Sequence, residues 1–349
     1  MVSVEEGAVG RWQGVVGLAL LLTACTALAP EAARTPGAAP AEPAGSPPAT
    51  RPLETIRIGY PSRSVTFLAM LLARDQGYFE QQGLAAELSQ VRTNVGITAL
   101  LNGELDYTES LGSNIRAALQ GAPIKTVSVS MRAPTFMLVA RPEYSAVAQL
   151  RGRVVGITSF GGSNDQTARL IFKHYGLAPQ TDVQLIPIGD APVQYEALRL
   201  SQVDAVVISQ PFPLLARKEG FNLLVNAPEV VSMPLAGLGT LQAKLDAQRD
   251  QVKRVVKAEV QALRHLRAQP EDAIKLIAEL FDTDAATAQE VYAFLLPSFS
   301  EDGSIERAGI EMVLALEREE GGGGAPLAFE QVAEPAIVAE AQRELGLRP

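Results

Sequence analysis

The glycine-rich segment TSFGGSND, residues 158–165, combines residue types that are suited to holding a ligand. Gly161 and Gly162 allow the backbone to approach a ligand closely, and Ser163 or Asn164 can cap the helix that follows. The free N–H groups at such a helix N-terminus favour an anion or another hydrogen-bond acceptor. The same residues are also typical of a tight strand-to-helix turn that binds nothing, and the sequence alone leaves both interpretations open.

Other polar residues come directly after predicted strands. In open α/β sheets, ligands bind beyond the carboxyl ends of the strands, so these positions are the candidates for a binding site. Besides the glycine-rich segment, the candidate ligand-binding residues are Tyr60, Ser62, Arg63, Ser64, Ser110, Gly112, Ser113, Asn114, Asp190 and Gln210.

Three arginines are the basic candidates for an anionic ligand, namely Arg63, Arg92 and Arg132. Arg63 is the best placed of them, although a solvated surface arginine explains it equally well. Asp106 and Asp204 precede or begin strands and therefore lie at the opposite end of the sheet. We expect these two aspartates to have structural roles in turns or caps.

The chain contains few of the residues that bind metals or act as catalytic nucleophiles. The sequence contains one cysteine and two histidines, His174 and His265, which lie far apart and are expected to be surface or packing residues. We expect no metal site and no cofactor. The net charge of -9, spread along the chain without a basic stripe, argues against a nucleic-acid partner.

The single cysteine, Cys25, follows the apolar run GVVGLALLL at residues 14–22. This run is about half of the ~20 residues that a spanning helix needs, and it has the length of a signal-peptide core. From Pro30 to Pro52 the chain is rich in Ala, Pro and Gly, which predicts an extended tether before a folded body that begins near Leu53. The alternative is that Cys25 is buried in a hydrophobic core, but the Ala-, Pro- and Gly-rich segment after it is poorly suited to form one.

Beyond the tether, apolar strand and helix patterns alternate, which predicts parallel sheets with crossover helices. The predicted strands are residues 56–60, 86–91, 105–110, 125–130, 153–159, 183–189 and 205–209, and the predicted helices lie between them. After Leu241 the pattern becomes helical. Gly321–Gly324 interrupts the final helices and lacks the lysine and hydroxyl residue of a phosphate-binding loop, so it predicts a flexible connection.

Five segments, in this order, resemble the solute-binding proteins of bacterial ABC importers, in the nitrate/sulfonate/taurine and thiamine-precursor-type branch. They are GYFEQQGLAAEL (77–88), ALLNGELDYTES (99–110), GAPIKTVSVS (121–130), QLRGRVVGITSFGGSND (149–165) and LRLSQVDAVVISQP (198–211). In addition, Leu22-Thr23-Ala24-Cys25 resembles the lipobox of bacterial lipoproteins. This implies a signal peptide over 1–24, lipidation of Cys25 and a lipid-anchored tether over 25–52.

The resemblance implies an α/β chain with a periplasmic-binding-protein fold of the second type, in which two α/β lobes are joined by two crossover strands. Lobe 1 is expected to comprise 53–134 plus 235–349, and lobe 2 is expected to comprise 135–234. The crossovers are expected at Thr135–Pro142 and around Leu235–Thr240.

The implied function is capture of a small solute outside the cytoplasm and its delivery to an ABC permease in the membrane. Sulfonates, nitrate, carboxylates and pyrimidines are the expected solute types, and the protein is expected to be a monomer and not an enzyme. The alternative is an enzyme of the same fold, such as a thiamine-pyrimidine synthase, but the folded body lacks the cysteine-rich motif and the histidines that this alternative implies. A third possible class of function is the sensory lobe of a signalling protein.

Overall fold

Two five-stranded sheets covered by helices organise the chain in the computed structural model, which describes residues 52–231, 233–319 and 326–347. The predicted signal peptide, Cys25 and the tether up to Arg51 lie outside the described residues, as does the Gly321–Gly324 run.

The first sheet has the strand order β2-β1-β3-β10-β4, with β1 parallel to β2 and β3 and with β10 antiparallel to β3 and β4. Its strands are β1 (Glu54–Tyr60), β2 (Leu84–Gln90), β3 (Tyr107–Glu109), β4 (Ile124–Thr126) and β10 (Leu238–Leu241). The helices among them are α1 (Leu68–Asp75), α2 (Tyr78–Gln81), α3 (Thr93–Leu101) and α4 (Leu111–Leu119). We call this sheet and its helices the first lobe.

The second sheet has the order β7-β6-β8-β5-β9, in which β5 is antiparallel to β8 and β9. Its strands are β5 (Phe136–Ala140), β6 (Val154–Ile157), β7 (Gln184–Pro187), β8 (Ala205–Ser209) and β9 (Asn222–Asn226). Its helices are α5 (Ser163–His174), α6 (Ala191–Arg199) and α7 (Phe212–Lys218). This sheet and its helices form the second lobe.

The chain ends in helices, several of which pack on the first lobe: α8 against α1 and α2, and α11 against α4. These helices are α8 (Gln242–Ala268), α9 (Pro270–Phe281), α10 (Ala285–Leu295), α11 (Arg307–Glu319), α12 (Phe329–Val332) and α13 (Pro335–Glu344). Short 3-10 segments occur at Val65–Phe67, Val147–Leu150, Ala227–Glu229 and Leu296–Ser298. The helix α8 is kinked at Gln248, and α13 begins at Pro335, since proline is well tolerated at the first position of a helix.

The chain crosses between the two sheets twice, and the two crossing segments lie side by side. Met131 forms an antiparallel bridge with Ala236, and the Leu235 N–H donates to the Met131 carbonyl at 2.8 Å. Two α/β sheets joined by paired crossings confirm the predicted fold class. The stretch Thr135–Pro142, which lies within the residues expected to form lobe 2, follows the first crossing and contributes β5 to the second sheet. Leu235–Thr240 likewise contributes to β10 of the first sheet.

Asp106 and Asp204, for which we expected structural roles, both accept hydrogen bonds from backbone N–H groups, which confirms this prediction. The Asp106 carboxylate accepts hydrogen bonds from the Arg57 N–H at 2.9 Å and from Lys244 Nζ at 3.0 Å. The Asp204 carboxylate accepts from the Tyr144 hydroxyl at 2.7 Å and from the Val154 N–H at 2.9 Å. Both acids therefore tie neighbouring segments to the starts of strands.

We predict that Asp106→Ala lowers the free energy of unfolding by about 1–3 kcal/mol at neutral pH, because buried donors lose a charged partner. Burial raises the pKa of Asp106, but hydrogen bonds from Arg57 and Lys244 outweigh it, and the net pKa is lowered. A lowered native pKa gives stabilisation that is present above the ordinary carboxyl pKa and is lost as the pH falls.

Urea unfolding of the full chain measures this prediction. Asp75→Ala is the control, since Asp75 pairs only with its neighbour Arg74 on the surface and should change stability by less than about 1 kcal/mol. Equal effects of the two substitutions would contradict the structural role of Asp106.

Candidate functional site

A cavity lies between the two lobes, where the carboxyl ends of strands from both sheets meet. It is lined by Pro61, Ser62, Ser64, Thr66, Phe67, Thr93, Glu109, Ser110, Phe136, Thr158, Ser159, Gly162, Ser163, Asn164, Ala191, Gln194, Ser209 and Leu235. The cavity is partly open to the surface, and its volume of about 40 Å³ accommodates a few water molecules.

Hydroxyl groups join the two lobes around this cavity. Ser64 Oγ in the first lobe lies 3.0 Å from Ser209 Oγ in the second and donates to it. Ser113 Oγ donates to the Gly161 carbonyl at 3.3 Å. These contacts show a closed arrangement of the lobes, held by short polar side chains that water can replace when the lobes open.

The lobes also approach closely at the helices α4 and α5. A Cβ atom at Gly112 would lie 2.6 Å from Gln166 Oε1, so the absence of a side chain on α4 permits this contact. Gln166 is buried and donates to the Glu317 carboxylate on α11. Gly112 therefore permits close packing between the lobes and does not line the cavity.

The glycine-rich turn after β6 is held rigidly by its own side chains. The Asn164 side chain accepts from the Thr158 N–H at 2.9 Å and donates to the Val207 carbonyl at 2.7 Å. Gly161 has φ +78°, and its N–H donates to the Asp165 carboxylate at 2.9 Å. Asp165 already places a buried carboxylate at the N-terminus of α5. This helix end therefore attracts an anionic ligand less strongly than the sequence suggested.

Six of the sequence-predicted ligand residues line the cavity: Ser62, Ser64, Ser110, Gly162, Ser163 and Asn164. The other eight do not line it: Tyr60, Arg63, Gly112, Ser113, Asn114, Gly161, Asp190 and Gln210. These six residues come from loops in both lobes, so the structure brings predicted loops from the two sheets together at one cavity.

The basic candidates lie away from the cavity. The Arg63 guanidinium donates to the Leu280 carbonyl near the end of α9, and Arg132 donates to the Pro297 carbonyl at 3.3 Å. Arg92 precedes α3 and is also absent from the lining. In this closed arrangement none of the three arginines reaches the cavity that was expected to hold an anion.

Most of the remaining predicted residues have internal hydrogen-bond partners. Asn114 accepts from Thr108 Oγ1 at 2.7 Å, which holds α4 to β3. Asp190 accepts from Gln90 at 3.3 Å across the lobes, at an exposed position. Gln210 precedes a cis proline and donates to the sulfur of Met137 at 3.7 Å.

Several lining residues were missed from the sequence, and Glu109 and Gln194 are the most informative of them. Both side chains are only 1% exposed. Glu109 is the last residue of β3 and lies within the predicted strand 105–110, whose other residues include Asp106 and Thr108, so its charge did not distinguish it. Gln194 lies inside α6, and no sequence pattern pointed to it.

Glu109 forms a buried carboxyl pair with Glu259 of α8. The Ser130 hydroxyl donates to Glu109, and the Ser128 hydroxyl donates to Glu259. Burial first, and then the charge of Glu259, raise the pKa of Glu109 well above its ordinary value. Burial likewise raises the pKa of Glu259, to about 7, although hydrogen bonds from Ser128 and Glu109 lower it. The pair therefore retains a proton near neutral pH.

We predict that stability falls as the pH rises from about 4.5 through about 7, because the native pair keeps a proton that the unfolded chain releases. The Glu259→Gln substitution should flatten this decline, since glutamine cannot titrate. Thermal unfolding of the full chain across this pH range measures the effect, with Glu87→Gln on the exposed face of β2 as the control. A decline that is equally steep in the Glu259→Gln chain would contradict the prediction.

Comparison with known proteins agrees with this architecture. The family model described as NMT1/THI5 like matches residues 64–273, which is more than half of the chain. The chain belongs to the NMT1/THI5-like family. The match spans both lobes, and it includes the turns after β3, β6 and β8 that border the cavity.

Among relatives of this NMT1/THI5-like protein, riboflavin-binding protein RibY from Chloroflexus aurantiacus is 27% identical over 267 residues, covering 74% of each chain. The alkanesulfonate-binding protein SsuA from Xanthomonas axonopodis pv. citri, bound to MOPS, has a TM-score of 0.65 at 20% identity, covering 82% of this chain and 97% of that one. The periplasmic nitrate-binding protein NrtA from Synechocystis PCC 6803 has a TM-score of 0.70 at 14% identity, covering 85% and 90%. The two structures show a shared fold.

Within the described ranges, no helix has the length and apolar character to span a membrane. Over the same residues, no group of three or more histidine, cysteine or acidic side chains is arranged to hold a metal ion.

Proposed function

We propose that this NMT1/THI5-like protein is the solute-binding component of an ABC importer and works outside the cytoplasm. The observation that carries the proposal is the cavity between two lobes, bordered by hydroxyl contacts such as Ser64 to Ser209 that join the lobes directly. The binding proteins named among its relatives and similar structures support it.

Closure around a solute is the proposed mechanism. The paired crossings near Met131 and Ala236 are the only backbone links between the two sheets in the described residues, so they are the natural hinge. A solute that contacts both lobes favours the closed state by its difference in affinity between the two states. The closed form then presents the solute to a membrane permease.

The residues proposed to bind the solute are those that line the cavity and come from both lobes. Ser62, Ser64 and Ser110 act from the first lobe, and Gly162, Ser163 and Asn164 act from the second. Phe67 and Phe136 add apolar ring surface, which suits a solute with a flat ring. The other predicted residues, including Arg63, would contact a solute only if the open form rearranged them.

The chain is further proposed to be a monomeric lipoprotein held at the membrane through Cys25, after removal of residues 1–24. The Ala/Pro-rich tether would allow the two-lobed body to reach its permease. More than one acyl chain anchors a protein stably, and the lipid on such a cysteine provides this.

We predict that the full chain binds at least one solute of a panel comprising riboflavin, thymine, nitrate, ethanesulfonate and benzoate. Binding should raise the unfolding temperature, because a ligand that binds only the native state stabilises it by mass action. Riboflavin is the first test, because a relative carries that name. Recovery of the unchanged solute after incubation supports binding, whereas turnover of any panel member would favour the enzyme alternative and overturn the proposal.

We predict that Cys25→Ser releases the protein from the membrane fraction, because serine offers no thiol for acylation. Expression in a bacterial host followed by membrane fractionation measures this, and Thr26→Ser at the next position is the control. Equal membrane retention of the Cys25→Ser chain and the control would remove the anchor from the proposal and leave the binding site unaffected.

A further inference from the structure

The two lobes also meet away from the cavity, where the C-terminal helix α11 reaches the second lobe. Glu317 of α11 is only 1% exposed, and Gln166 of α5 is equally buried. Neither residue is among those that line the cavity. Their contact is therefore a link between the lobes that lies outside the candidate binding site.

The Glu317 carboxylate accepts hydrogen bonds from both lobes. Arg116 of α4, in the first lobe, donates from Nε to Glu317 Oε2 at 2.5 Å. Gln166 of α5, in the second lobe, donates from Nε2 to Glu317 Oε1. Because α11 packs against α4, the first lobe carries this carboxylate, which reaches the second lobe through Gln166. We call the three residues the interlobe latch.

Two glycines allow the lobes to approach each other closely at the interlobe latch. A Cβ atom at Gly112 of α4 would lie 2.6 Å from Gln166 Oε1, and a Cβ atom at Gly161 would lie 2.9 Å from Arg116 Nη1. A larger residue at either position would displace Gln166 or Arg116 from Glu317. The hydrogen bonds of the latch therefore depend on backbone without side chains on both sides of the contact.

The latch favours closure of the lobes without making closure irreversible. Hydrogen bonds to a charged group are stronger than those between neutral groups, so a buried Glu317 carboxylate that loses the Gln166 donor disfavours opening. Gln166 Oε1 acts in the other direction, since it is buried without a hydrogen-bond partner among the described residues. Water would satisfy this oxygen when the lobes open.

We propose that Gln166 and Glu317 stabilise the closed arrangement of the lobes and thereby raise the affinity for a solute that neither residue contacts. The effect on affinity rests on the proposed function, whereas the effect on lobe closure does not require a solute. The apparent affinity of a two-state binding protein depends on the fraction of molecules that is already closed. Both residues would thus be positioning residues that act through the arrangement of the lobes.

Two matched pairs of variants in the full chain test the latch. Gln166→Met removes the donor at similar side-chain length and leaves the bond from Arg116 to Glu317 in place. Gln202→Met makes the same change at an exposed position of the second lobe. Glu317→Gln removes the charge, and Glu311→Gln makes the same change at an exposed position of α11.

Lobe separation is measured at the edge of the cleft that lies farthest from the crossings. The edge strands β2 and β7 are distant in their sheets from β10 and β5, and Gln90 at the end of β2 donates to Asp190 just after β7 at 3.3 Å. Double electron–electron resonance gives the distance between spin labels at Glu87→Cys on β2 and Gln184→Cys on β7, both exposed positions. Cys25→Ser removes the single native cysteine from the labelled chains.

Without solute, the wild-type chain should show a population with a short distance between the labels. Gln166→Met and Glu317→Gln should each shift molecules to longer distances, while both controls keep the wild-type distribution. A residue that only supported folding would lower the unfolding temperature and leave these distances unchanged.

Titration calorimetry then measures the affinity for riboflavin, thymine, nitrate, ethanesulfonate and benzoate. For any of these compounds that binds, Gln166→Met and Glu317→Gln should weaken binding by about threefold or more, because a smaller fraction of molecules is closed beforehand. At saturating concentration of that compound, every chain should reach the same short distance between the labels.

Three results would overturn the inference. They are an unchanged distance distribution in a folded Gln166→Met chain, a wild-type chain with only long distances in the absence of solute, and weaker binding without any change in distance. If Glu317→Gln does not fold, Gln166→Met decides the inference. Failure of every compound to bind would count against the proposed function, and the solute-free distances would still decide whether the latch stabilises closure.

Discussion

The paired crossing at Met131 and Ala236 is the constraint on which the rest of the structure depends. Two chain segments that run side by side join the lobes, and paired connections of this kind are the ones that act as hinges in two-lobed proteins. The same arrangement brings the carboxyl ends of β1, β3, β6 and β8 to a common cleft. Because loops and helix N-termini gather at that edge of a parallel sheet, the cleft receives polar side chains from both lobes.

The closed cleft balances weak attraction between the lobes against buried polar groups that are not yet satisfied. The hydroxyl contacts, such as Ser64 to Ser209, are of the neutral kind that contributes about 1 kcal/mol each. Gln194 works in the opposite direction, because its Oε1 atom is buried and has no hydrogen-bond donor among the described residues.

The burial of Glu109 against Glu259 also places a pair of carboxyl groups that share a proton beside the cavity, which the fold alone would not suggest. Similar structures bind sulfonate and nitrate, as their names say, yet similarity below 25% identity establishes the fold and leaves the solute open. Here the three candidate arginines lie outside the lining, Asp165 occupies the N-terminus of α5, and Glu109 is the acidic residue in the lining. None of these three features supplies a positive charge to the cavity.

The sequence by itself determined the fold class, the alternation of strands and helices, and the edge of the sheets at which polar loop residues lie. These follow from local periodicity and from polar residues placed after apolar runs, as at Ser64 and Ser163. Only the tertiary structure decided that Arg63 turns toward Leu280 and that Glu109 and Gln194 face the cavity. The physical reason is that strand pairing, burial and side-chain direction depend on contacts between residues far apart in sequence, and local patterns do not encode them.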